Sequence, residues 1–352
     1  MMLLPLIVAM GMLQGTPGTG ITRAYKTMPE NVRNTMLNNK RVEPDENGLT
    51  TRNKGGEWNG VEQQKLIALR MSVAIASDDK DDVDNDLTAI EKTFAMMNSD
   101  GVFPSGANKK GKVGDQVNDT LSFLSEVSPA LLQLKGWNAS YNPRIDALKP
   151  LIAKAAAAAY PNRDTILKRA GQSTNAIFCD ARAWVFTSKL LDDPTYFAAG
   201  KSLVDTGLSM QNSDGVFIEE GGADTSYHAV SLRHLATIYL IDPDPKIKSA
   251  LEKGMNWFIS RFQADGKLNV EGNTRTAKGK INRFGSDKVG NSPTTAAMTL
   301  ALLADIFPDS KAADTVKRFV AVAFKGNKMA NRADYMTGGI GDRANGIGNG
   351  GG

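Results

Sequence analysis

From residue 61 onward, apolar positions recur every three or four residues in one segment after another. The pattern predicts helices over roughly 61–77, 84–97, 116–135, 145–160, 173–191, 195–211, 226–241, 246–262, 292–306 and 311–325. No stretch alternates apolar and polar residues long enough to read as a run of strands. Between the helices lie polar connections rich in Gly, Asn and Asp. Residues 21–60 are polar throughout, and they read as an extended arm or lid. Residues 331–352 end in GGIGDRANGIGNGGG, a low-complexity, flexible tail.

The connections repeat. NSDGVF stands at 98–103 and again at 212–217, with a weaker copy, QADGKL, at 263–268. Each copy follows an apolar helix and precedes a Gly-bearing loop and a further helix. The Asp-Gly pair turns the chain, because glycine accepts positive φ and aspartate bonds its own backbone. A repeated unit of helix, turn, loop and helix predicts an all-α protein, an α/α toroid of helical hairpins spanning 61–330. An open solenoid or an irregular bundle would use the same units. In a toroid the inner helices begin at one rim, and the long loops of that rim line a cleft.

At the other end of the chain, Leu3 to Leu13 is an apolar run. Its length suits the core of a signal peptide and falls short of a membrane span. Residues 1–20 are therefore expected to be an export signal, placing the protein outside the cell or in a periplasm; a buried N-terminal helix is the alternative. Among the 352 residues Cys179 is the single cysteine, which excludes an intrachain disulfide framework and a multi-cysteine metal site. It lies in the apolar run IFCDARAWVF and reads as an inert thiol. The net charge of +4 and the lack of an aromatic-studded basic patch give no sign of nucleic-acid binding. No phosphate loop, dinucleotide fingerprint or Gly-x-Ser-x-Gly elbow occurs.

The two histidines both fall in GGADTSYHAVSLRH. Asp224 or Thr225 is a suitable N-cap, which puts Tyr227 and His228 in the first helical turn beside Gly221 and Gly222. A helix N-terminus favours neutral imidazole, a form able to accept a proton. His234 lies about 240° further round the same helix, so a shared zinc site is not expected and no metal or organic cofactor is called for. Two other segments carry matching chemistry. QSTNAIFCDARAW opens a helix with Ser173, Thr174 and Asn175, and includes Arg182. EGNTRTAKGKINRFGSDKVG follows the third turn and carries Arg275, Lys280 and Arg283. Capping and solvation are the ordinary roles of such residues. In a cleft they would instead hold an anionic substrate, Arg through its planar fork. Together these groups suit β-elimination on a uronic-acid polymer. Asn and Arg donors offset the carboxylate beside C5, and His or Tyr transfers protons.

A helical-repeat chain with a Tyr-His pair opening a helix, an upstream Asn at a helix start and a downstream Arg-bearing loop resembles the α/α-toroid polysaccharide lyases, such as polysaccharide lyase family 38. The resemblance covers about residues 60–325 by pattern. It implies a monomeric enzyme acting on an acidic polysaccharide, alginate first and glucuronan second. Asn175 and Arg283 would neutralise the carboxylate. His228 would be the base or its support, and Tyr227 a proton carrier. Arg275, Lys280, Glu219, Glu220, Asp224 and Arg182 would bind substrate. No Tyr follows Arg283 closely, which leaves Tyr227 or Tyr335 as the acid. Two rival readings remain. One is a toroid glycoside hydrolase with a carboxylate pair drawn from Asp100, Asp180, Asp214, Glu219, Glu220 and Asp224. The other is a glycan-binding module in which Phe103, Phe217, Trp137 or Phe284 stacks on sugars.

Overall fold

The computed structural model describes residues 18–40, 42–45, 47–50, 58–106, 113–170, 173–276 and 292–338, without the side chains of 113, 169 and 170. The apolar run before residue 18 and the tail after 338 lie outside the described residues, as do Lys280, Arg283 and Phe284.

The chain begins with two short helices, α1 (Thr19–Lys26) and α2 (Glu30–Leu37). Hairpins follow: α3 (Val61–Ala76) with α4 (Lys80–Ala95), and α5 (Val113–Trp137) with α6 (Asn142–Ala159). After the short α7 (Thr165–Ala170) come α8 (Thr174–Leu191) with α9 (Pro194–Ser209), α10 (Thr225–Ile241) with α11 (Pro245–Ser260), and α12 (Pro293–Ile306) with α13 (Ala312–Ala323). The first helix of each hairpin is buried on almost every face. The second keeps one apolar stripe inward and a polar face outward. The inner helices α3, α5, α8, α10 and α12 pack side by side in chain order and form a ring. Aspartates cap three of the outer helices: Asp79, Asp193 and Asp244 each accept a backbone N–H from the first turn of α4, α9 and α11.

The repeated turns superpose in their bonding. Asn98, Asn212 and Gln263 each donate a backbone N–H to the residue four places on, and each accepts one from the turn glycine. Gly101, Gly215 and Gly266 take φ of 82°, 89° and 90°. A Cβ at any of them would lie within 2.5 Å of the carbonyl oxygen of Lys154, Lys253 or Arg318 in the next outer helix. Glycine is therefore required twice over, for its dihedral and for the close approach of the backbones. Phe103 and Phe217, at one repeat position, are both buried among aromatic rings, so they anchor the turns.

The segment expected to be an extended arm is different in its first half. Ile21, Ala24, Tyr25, Met28, Val32 and Leu37 are buried, and α1 and α2 pack against both α12 and α3 and so close the ring between them. Helix α1 also lies across the far mouth. Gly18 packs on the backbone of Gln133 at the end of α5, and Gly20 packs on Leu240 at the end of α10. Arg23 pairs with Asp305 at the end of α12, and Lys26 pairs with Asp78 beyond α3. Polar residues interspersed along α1 hid its apolar stripe, because they bond to the ring's C-terminal edge instead of to solvent. The beginning of the expected tail is also structured: Met336–Thr337 pairs in parallel with Leu268–Asn269. No described helix is long and apolar enough to cross a membrane.

Candidate functional site

The N-termini of the inner helices share the rim opposite α1. At α8 and α10 three loops lock together there. Thr174 donates from its backbone N–H and its hydroxyl to the Ile218 carbonyl, 3.3 and 2.7 Å away. Asn175 N–H donates to Glu219 Oε1 at 2.7 Å. The loop that carries Glu219 reverses at Glu220 and Gly221, whose φ are 52° and 83°. Gly222 has no room for a Cβ against Thr274.

Asp224 is the hub of the second lock. Its carboxylate accepts the N–H groups of Ser226 and Tyr227 in the first turn of α10, both at 3.0 Å. It also accepts those of Arg275 and Thr276, at 2.9 and 2.6 Å, and the Thr276 hydroxyl. It is fully buried. The N-cap role weighed for Asp224 thus occupies the carboxylate, which corrects its place among the substrate binders. Asn273 adds a third tie, donating to the Thr225 and Thr276 hydroxyls and accepting the Thr225 N–H.

These ties aim Arg275 into the rim. Its Nη1 donates to Asn175 Oδ1 at 2.9 Å and to Glu219 Oε2 at 2.7 Å, and its Nε lies 3.0 Å from Glu220 Oε1. The guanidinium carbon sits 3.7 Å from the centre of the Tyr227 ring, a cation–π contact. Asn175, Glu219, Glu220, Tyr227 and Arg275 are thereby brought together from sequence positions up to a hundred residues apart. Glu219 has no exposure. Burial, the larger influence, pushes its carboxyl up to about 7 against the pull of the Asn175 N–H and of Arg275. Glu220 is half exposed.

His228 stands apart from this cluster. Its Nδ1 accepts the Phe217 N–H at 3.2 Å, and its Nε2 lies 3.0 Å from the Gly254 carbonyl, to which it donates in the tautomer that Nδ1 acceptance requires. The ring is fully buried against Trp257, Phe217 and Phe258. Burial lowers its pKa to about 4. With both nitrogens engaged by backbone and no solvent path, the imidazole joins the second turn to α11; this geometry corrects the expectation of a catalytic base. The missed signal is the repeat itself: His228 faces Phe217, the anchor of its turn.

Arg182 is likewise corrected as a substrate binder. It is 2% exposed in the ring interior, with Nη1 2.8 Å from Glu126 Oε2. Tyr335 packs edge-on to Phe319 of α13 and not on Arg275. Asp100 and Asp214 sit in exposed turns. Cys179 faces Ser125 at 3.3 Å, and burial raises its thiol pKa.

No protein-family model matches this chain, and no curated protein matches it by sequence. Solved structures do match. A polysaccharide lyase is 12% identical with a TM-score of 0.51, over 86% of this chain and 48% of its own. A D-mannose isomerase is 10% identical with a TM-score of 0.55, over 88% and 91%. An α-amylase from Clostridium perfringens is 13% identical with a TM-score of 0.51, over 87% and 93%. The protein is an α/α toroid. The toroid likeness is one of fold and extends across a lyase, an isomerase and an amylase, so it does not single out polysaccharide lyase family 38. The chain spans about half the length of the polysaccharide lyase it matches.

Proposed function

We propose that this toroid is a carbohydrate-acting enzyme that cleaves an acidic polysaccharide by β-elimination at the α8–α10 rim. The observation that carries the reading is the Arg275 cluster. One guanidinium and one carboxamide, Asn175, meet a tyrosine ring at the rim where α8 and α10 begin. A uronate carboxylate seated on Arg275 and Asn175 would have its charge offset, which acidifies the C5 proton. Tyr227 would take that proton and deliver one to the departing glycosidic oxygen, leaving a C4–C5 double bond in the product. Arg283 and Lys280 remain proposed companions of Arg275, as does an alginate or glucuronan substrate. The names of the three fold neighbours, all acting on sugars or glycans, agree with a carbohydrate substrate.

Ultraviolet absorbance of the protein with polymannuronate, polyguluronate and polyglucuronate tests this. A rise that Arg275→Lys and Tyr227→Phe abolish supports elimination. New reducing ends without absorbance, lost in Glu219→Gln, would replace it with hydrolysis. That second reading is favoured by one observation, a buried Glu219 carboxyl near 7 beside the half-exposed Glu220. Export, to the medium or a periplasm, belongs to the same proposal, since polymeric substrates lie outside the cell.

A further inference from the structure

Within the ring, one turn after another below the rim, a second charged layer has no role in the reading above. Glu126 of α5 lies between two arginines. Arg233 of α10 donates to both of its oxygens, at 2.5 and 3.2 Å, and Arg182 of α8 stands 2.8 Å away. Tyr25, from the α1 closure, and His234 complete the layer: Arg182, Arg233 and Glu126 are the charges that act on both. All are buried. Burial holds the Tyr25 phenol protonated and the His234 imidazole neutral. Lys65 also acts on His234, but it bonds to Ser122 and lies 3.7 Å from Glu62. Of the charges that act on both Tyr25 and His234, two are guanidiniums and one is a carboxylate.

The layer's hydrogen bonding is short by the same measure. Among the described residues nothing accepts from Arg182 Nε and nothing bonds to His234 Nδ1, while the Tyr25 hydroxyl meets Arg233 and, as an acceptor from it, keeps its own proton to donate. Buried polar atoms are almost always partnered, and an uncompensated buried charge is among the most destabilising features a fold can hold. A water molecule would answer the bonding but not the charge. An anion answers both. Arg233 and Glu126 keep 8% and 4% side-chain exposure, so water-sized space reaches the edge of the layer.

We propose that the ring interior binds one monovalent anion, of halide or carboxylate size, held by Arg182 with Tyr25 and His234. The site is independent of the rim chemistry, since none of its residues belongs to the Arg275 cluster.

The test is thermal unfolding of the whole protein, exchanged into sodium methanesulfonate and titrated at constant ionic strength with sodium chloride, bromide or acetate. The midpoint should rise by about 2 °C per tenfold of anion above saturation. Arg182→Met, which leaves the Arg233–Glu126 pair intact, should lose that slope. Slopes with halides alone assign an inorganic ion; a slope with acetate assigns carboxylates as well. Equal slopes in the wild type and the variant would overturn the site. Should Arg182→Met fail to fold, crystals of the wild type grown in bromide decide the matter. An anomalous peak beside Arg182 supports the proposal, and a water there overturns it.

Discussion

The rim and the interior both pair guanidinium with carboxylate, and they do it with opposite balances. At the rim one arginine, Arg275, faces two carboxylates, Glu219 and Glu220, and is held by loops. In the interior two arginines face one carboxylate, Glu126, and all three are held by helices. Loop-held groups with partial exposure can exchange partners at modest cost. Helix-held groups without water cannot. Under the proposed function, the comparison separates charges placed to meet a substrate from charges held inside the ring.

Glu126→Gln should break the interior most severely. It leaves the two buried guanidiniums without their carboxylate, for a loss of about 4 kcal/mol of stability. Urea unfolding reads this, and a loss below about 1 kcal/mol would show the layer to be better hydrated than its burial indicates. Tyr227→Phe should do the reverse, removing at least about a hundredfold of turnover while shifting the unfolding midpoint little. An equal fall in stability would make Tyr227 a packing residue.

The next effect is on acidity. The unfolded imidazole titrates near its ordinary value of 6.5, and folded His228 titrates at about 4. The unfolded chain therefore binds the proton more tightly, so stability falls as pH drops from 6.5 towards 4, by up to about 3 kcal/mol. Denaturant unfolding between pH 7 and 4 measures it, and His228→Gln should lessen the slope, the remainder coming from His234, which burial also holds neutral.

Glu219 gives a smaller, opposite signal. Its carboxyl, raised to about 7, ionises as pH rises through neutrality and then competes for Arg275. KM for a polyuronate should increase several-fold from pH 6 to 8, and Glu219→Gln should remove the increase. Least of all, Arg23→Ala removes a pair whose arginine is 64% exposed and should cost about 0.5 kcal/mol.

Much of the fold was legible because hairpins of similar length repeat. The helix ranges read from periodicity fall within a few residues of α3 to α6 and of α8 to α13, the short α7 having gone unread, and the Asp-Gly turns precede three of the inner helices. The meeting of Asn175, Glu219, Glu220, Tyr227 and Arg275 follows from that: loops at one rim of a ring are neighbours. What stayed hidden was burial. Inner helices are enclosed on all sides, so periodicity cannot tell a residue facing the rim from one facing the next hairpin. His228 was assigned to proton transfer and Arg182 to substrate for that reason. Asn273 and Thr276 were missed because short polar loop residues look alike until their partners are known.

Helix α1 has a consequence for the order of assembly. It is the first described helix to leave the ribosome, yet its partners are the far ends of α5, α10 and α12. Contacts of such long sequence separation form late. The hairpins must stand for a time as an open arc, with Ile21 and Tyr25 waiting and the cationic layer uncovered, until the last of them is made. Closure of the ring is thus a single event that joins the beginning of the fold to its end.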